Sequence, residues 1–121
     1  MILVDSSIWI DHLRNAKAAL AVALTEGRVV QHPFVTAELA LGSLAQRDRF
    51  VGMLGLLPAA PVVEQAILLG FVTEHGLFGT GLGMVDAHLL ASAKQAGGAR
   101  LWTNDKRLAG HADRLGLSYR P

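Results

Sequence analysis

The chain has no cysteine, which excludes disulfides, thiolate chemistry and any cysteine zinc site. It is also poor in charge: 17% of its 121 residues are charged, against 51% hydrophobic. So few polar residues cannot cover every surface, which predicts an apolar face buried against a partner. The net charge is only +1, so binding to a polyanion requires charge segregation, a basic rim against an acidic pocket. No run is long enough to cross a bilayer as a helix, since the uncharged stretch Val51 to Val63 is short and holds Pro58 and Pro61. The opening "MILVD" reaches a carboxylate at Asp5 with no basic segment and no signal-peptide core. These absences lead to the expectation of one cytoplasmic domain over residues 1–121.

Short apolar runs alternate with helical patterns. "MILV" suits a strand buried on both faces, and "DSSIWIDHLRN" continues as a helix with Ser6 or Ser7 as N-cap. "AKAALAVALTEG" is a second helix closed by Gly27, and "RVVQ" a second strand halted before Pro33. "FVTAELALGSLA" reads as a helix capped at Thr36, "RDRFVGMLGLL" as another, and Leu56–Leu57 as a short third strand. "VVEQAILLGFVTEHG" is helical, "LFGTGLG" a loop, and "GMVDAHLLASA" opens a helix ending at Gly97–Gly98. "RLWT", "NDKRLAGHADRLG" and "LSY" complete the chain as strand, helix and strand. The alternation predicts an α/β fold, a mainly parallel sheet with helices on both faces.

In such sheets ligands bind beyond the carboxyl ends of the strands. Asp5 directly follows the first strand and Asp105 follows "RLWT" by a short step, while Glu38 and Asp86 are expected in the opening turns of helices. If the first strand and "RLWT" are neighbours, all four acids share one edge. Like charges about 5.5 Å apart at an effective dielectric near 20 repel by roughly 3 kcal/mol per pair. A fold tolerates several such pairs when a divalent cation or raised pKa values offset them. Oxygen-only ligands point to Mg²⁺ or Mn²⁺, suited to activating water for hydrolysis.

"VDSSIWID", "TAELALG", "GLGMVDAHLLASA" and "LWTNDKRL" together resemble the four motifs of PIN domains, with the nearest likeness to the VapC toxins of bacterial toxin–antitoxin pairs. The resemblance runs nearly the length of the chain. It implies a three-layer α/β/α fold and a metal-dependent endoribonuclease that leaves 5′-phosphate and 3′-hydroxyl ends. It also implies a homodimer restrained by a cognate antitoxin. The family's acids fall on Asp5, Glu38, Asp86 and Asp105, and its supporting hydroxyls on Ser6 and Thr103.

Each residue also has a plainer reading. Asp5 and Asp105 suit helix caps, and Glu38 and Asp86 complement helix dipoles. Asp11 is expected to pair with Arg14, three positions on. His88 falls near the opposite helix face from Asp86, and His12, His32, His75 and His111 show no metal spacing, reading as surface or partly buried groups. "GTGLG" follows a helix, not a strand, so it is an entry loop rather than a phosphate fingerprint. Trp9 and Trp102 sit in apolar contexts that suit the core. Arg14 and Lys106, with Arg47, Arg49 and Arg107, are candidates for phosphate contact.

Two other functions share this fold class. A phosphoacceptor (receiver-like) signalling domain also has an acid-lined Mg²⁺ site, but needs an aspartate closing the third strand, where "GLLPAAPVV" has none. A non-catalytic binding module with the same fold is expected to have lost an acid, and here the set is intact.

Overall fold

A computed structural model describes all residues, 1–121. Three strands form the sheet: β1 (Ile2–Val4), β2 (Val29–Val30) and β3 (Arg100–Trp102). Their order is β2-β1-β3 and both pairings are parallel, so β1 is central and β3 is its neighbour. Seven helices surround them: α1 (Ser6–Arg14), α2 (Ala18–Thr25), α3 (Pro33–Ala40), α4 (Arg47–Leu54), α5 (Gln65–Glu74), α6 (Met84–Gln95) and α7 (Lys106–Arg114). This is the three-layer α/β/α arrangement expected from the alternation of strands and helices.

The sheet is short because its strands are covered on both faces. Leu3 and Val4 are fully buried, and Leu101 and Trp102 nearly so, as parallel strands packed between helices must be. Trp9 and Leu20 from the helices after β1 close one side of the core, and Leu89, Leu90 and Leu108 are equally inaccessible. Trp9 packs edge-on to Phe50 and Trp102 tilts against Tyr119, so both tryptophans belong to the core.

Four local expectations are corrected. The N-cap of α1 is Asp5, whose side chain accepts from the Ser6 N–H, not Ser6 or Ser7; a carboxylate is the stronger acceptor at a helix start. The cap of α3 is His32 with Pro33 in the first helical turn, not Thr36. Proline's fixed φ starts the helix there, and the Thr36 hydroxyl donates instead to Gln31. Leu56–Leu57 is not a strand; the chain touches the sheet edge only at a parallel bridge between Gln31 and Ala59, between the two prolines that interrupt any ladder. "LSY" likewise forms one bridge, Leu101 to Ser118. No helix is long and apolar enough to cross a membrane.

His32, expected at or near the surface, is fully buried. Its Nδ1 accepts from the Phe34 N–H at 3.0 Å, and the Phe34 ring packs edge-on against both His32 and His88. The capping bond requires an unprotonated Nδ1, and burial, with a smaller push from His88, lowers the His32 pKa to about 4. A histidine with a folded pKa below its unfolded value binds its proton preferentially in the unfolded chain. Stability should therefore fall as pH drops from about 6.5 towards 4, by up to about 3 kcal/mol from this group. Urea titrations across that range test it. His32→Asn keeps a capping acceptor but cannot titrate, so its stability should lose that slope; an unchanged slope would assign it elsewhere.

Candidate active site

Parallel pairing brings the carboxyl ends of β1 and β3 side by side, with Val4 opposite Trp102. Asp5 leaves β1 with its N–H still bonded to the Trp102 carbonyl at 3.0 Å, and Thr103 leaves β3 beside it. The two loops are then stitched together by hydroxyls. Asp5 Oδ2 accepts from Thr103 Oγ1 at 2.7 Å and from Ser7 Oγ at 3.0 Å, and Oδ1 accepts from the Ser6 N–H at 2.8 Å. Each of the first two hydroxyls is in turn a backbone acceptor: Thr103 for the Asp105 N–H and Ser7 for the Asn104 N–H, both at 3.0 Å. Asp5 is 6% exposed, and these donors supply the hydrogen bonds that water would give an exposed side chain.

The other three acids reach the same edge from different elements. Asp86 lies in the first turn of α6, half-buried. Burial raises its pKa first, then the charges of Asp5 and Asp105, against a lowering hydrogen bond from the Gly83 backbone. Glu38 is exposed on α3 and is raised by burial, then by Asp5 and Asp86, with a hydrogen bond to Ser6 in opposition. Because α3 begins at Pro33, Glu38 stands in its second turn rather than its opening one. Asp105 caps α7, its Oδ1 accepting from the Leu108 N–H at 3.0 Å. The cap and the acid edge thus draw on the same carboxylate.

The four acids feel one another's charge, yet no three acidic or imidazole side chains stand close enough, as posed, to grip a single ion. Their chemistry nonetheless fits a hard divalent cation. All donors are oxygens, and the upward shifts of Glu38 and Asp86 record burial first and then repulsion by neighbouring acids, which positive charge would relieve.

Sequence reasoning missed three participants. Ser7 sits closer to the Asp5 carboxylate than the Ser6 hydroxyl does, 3.0 against 3.4 Å. Asn104 donates to Asp11 Oδ2 at 2.5 Å. Asp11 therefore ties α1 to the β3–α7 loop and to Lys17 at 3.8 Å, and is not Arg14's partner. The signal for Ser7 was present in "DSS": in a helix capped by Asp5 both serines fall in the first turn. Lys106 directly follows Asp105 and is exposed, whereas Arg14 ends α1, roughly 13 Å along the helix from its start. His88 is buried against Phe34 and points to no acid pairing.

An open α/β/α sandwich with acids gathered where β1 meets β3 defines a class. The PIN domain pattern matches residues 2–114, and the chain belongs to the PIN domain family. It is similar to the protein "Ribonuclease VapC32" of two Mycobacterium tuberculosis strains, CDC 1551 / Oshkosh and ATCC 25618 / H37Rv. Each is 52% identical over 108 residues, covering 89% of this chain and 87% of the relative.

The two kinds of acid respond oppositely to loss of charge. A raised carboxylate pKa means that the ionised group destabilises the fold, a penalty that is absent below the unfolded pKa and complete once pH has risen past the folded one. Asp86→Asn keeps the shape and removes that penalty, so without divalent cations it should melt a few degrees above wild type at pH 7 and lose the advantage at pH 3.5 or so. Asp5→Asn should do the reverse at pH 7, by roughly 1–3 kcal/mol, since an amide accepts at only one of the two oxygen positions, and either the two hydroxyls or the Ser6 N–H then faces an NH₂ group. Calorimetric melting of the two variants decides; the same sign for both would contradict the division.

Proposed function

We propose that the chain is a metal-dependent endoribonuclease, the toxin of a toxin–antitoxin pair, working as one domain over residues 1–121. The observation that carries this reading is the convergence of four carboxylates, from four elements, on the β1–β3 edge of a PIN domain. The name of its relative as a ribonuclease points the same way. Asp5, Glu38, Asp86 and Asp105 are proposed to hold Mg²⁺ or Mn²⁺. A cation bound there would supply Lewis acidity, lowering the pKa of water and offsetting charge on the phosphodiester.

The protein's own contribution is placement. Ser6, Ser7 and Thr103 fix Asp5 in one orientation, so the most buried acid is ready without reorganisation. Glu38 and Asp86 have the least satisfied charge and gain most from a cation. Asp105 has one oxygen committed to its helix cap and contributes through the other. Lys106 brings an ammonium beside the acids for a phosphate oxygen, and Arg14, at the far end of α1, meets a more distant stretch of the RNA. The exposed apolar side chains of Leu69 on α5, Phe78 and Met84, which line one groove, support a homodimer face. Its restraint by a cognate antitoxin and a cytoplasmic setting complete the proposal.

Purified protein incubated with a structured RNA should cut at few positions when Mg²⁺ or Mn²⁺ is present, and chelation with EDTA should abolish cutting. Asp5→Ala, Glu38→Gln and Asp86→Asn should each slow cleavage by about a hundredfold or more, and Asp105→Asn by less. Thr103→Val, which removes one donor to Asp5, should cost about tenfold. Glu26→Gln, in an exposed ion pair with Arg28, serves as the control and should match wild type. Cutting that survives EDTA, or that persists in Asp86→Asn, would overturn the proposal and expose a contaminating nuclease.

A further inference from the structure

The glycine loop before α6 is not free-standing. Arg107, in the first turn of α7, reaches across to it and donates from Nη1 to the Gly81 carbonyl at 3.1 Å. The guanidinium lies directly against the Gly81 backbone: a Cβ built there would stand 2.5 Å from Nη1 and 3.0 Å from Cζ. Gly81 also has a φ of +83°, a conformation that side-chain-bearing residues rarely adopt. The backbone angle calls for glycine at this position, and a side chain there would in addition push the guanidinium off the loop.

The loop leads straight into the helix that bears Asp86. Gly83 is the N-cap of α6 and Asp86 is the third residue of that helix. That is the N3 position, in the first turn, whose placement follows directly from where the helix starts. A path therefore runs from α7 through Arg107 to Gly81, along two residues to Gly83, and into the helical turn that carries Asp86. The same α7 is capped by Asp105. The charges that bear most on Asp86 are those of Asp5 and Asp105, so the influence of Arg107 travels through the backbone.

We propose that Arg107 is a positioning residue: by clamping Gly81 it fixes the start of α6, and with it the placement of Asp86 relative to Asp105. This rests on the acidic edge being the cation-binding site. It also separates Arg107 from Lys106, its neighbour, which has no such partner and remains a candidate for phosphate contact.

Three variants, Arg107→Ala, Arg107→Lys and Gly81→Ala, test the clamp in three measurements on the purified protein. Amide hydrogen exchange over residues 79–85 should speed up in all three, while the melting temperature of the two arginine variants should stay within about 2 °C of wild type. Mn²⁺ affinity, measured by calorimetry without RNA, should fall by about tenfold in Arg107→Ala. Lysine keeps the charge but cannot lie flat over Gly81, so Arg107→Lys should resemble the alanine variant. RNA cleavage should lose kcat with KM nearly constant. In an Arg107→Ala background, Gly81→Ala should weaken Mn²⁺ binding by less than it does in wild type, because there is no guanidinium left to displace.

Arg107→Ala with unchanged exchange and Mn²⁺ affinity overturns the proposal. So does a raised KM at constant Mn²⁺ affinity, or full rescue by lysine, since either makes Arg107 a phosphate contact. Full additivity of the two substitutions also overturns it. If wild type binds no Mn²⁺ at all, the metal reading fails, and exchange over residues 79–85 alone decides whether the clamp exists.

Discussion

A buried carboxylate needs donors, and at Asp5 the donors come from two places that only the sheet brings together. Ser6 and Ser7 are local, but Thr103 lies almost a hundred positions away and arrives because β3 pairs with β1 in register. The Trp102 carbonyl bonded to the Asp5 N–H fixes the same junction from the backbone side. Loss of these bonds would leave a buried polar group without partners, a costly state. The fold therefore requires the β1–β3 junction for stability as much as the proposed chemistry requires it for placement.

That dependence explains what the sequence made legible. Apolar runs bounded by helical periods specify a parallel α/β sheet, since buried strands read as continuous hydrophobic stretches. A carboxylate immediately after such a run marks the sheet's carboxyl edge, so Asp5 and Asp105 could be placed from the sequence. The four acids share that edge only if β1 and β3 are adjacent, and the strand order meets the condition. The neighbours of each acid were harder to read. Nothing in "TND" announces that Asn104 will reach Asp11, or that Thr103 will serve Asp5 as well as its own loop, because both partners come from the far end of the chain.

The misplaced elements fail for the opposite reason, too much reliance on local preference. Thr36 is a good cap in isolation, yet Pro33 starts the helix a turn earlier and a buried histidine does the capping. That one-turn shift moves Glu38 from the helix start, where the dipole would favour its charge, to a position where the dipole has faded. Its ionisation is then governed by burial and by Asp5 and Asp86. Leu56–Leu57 and "LSY" look like strands by composition, but the first makes no bridge, the chain meeting the sheet only at Ala59, and the second makes one, at Ser118. A strand needs a neighbour along its length, and the edges of this sheet are too short to offer one.

The acids consequently divide into two kinds, and the division has a physical logic. Asp5 spends its lone pairs on protein donors; it holds the junction together whether or not any ligand is bound. Glu38 and Asp86 are left with raised pKa values and neighbours of their own sign. Such groups destabilise the protein, and a fold selected for stability alone would have replaced either with an amide. Their repulsion is relieved by protonation or by a positive charge arriving from outside, and under the proposed function the energy lost to the empty fold would reappear as affinity for that charge. A site built of four fully satisfied carboxylates would be more stable and would bind less. In the proposed site one satisfied acid would set the geometry, and two unsatisfied ones would supply the pull.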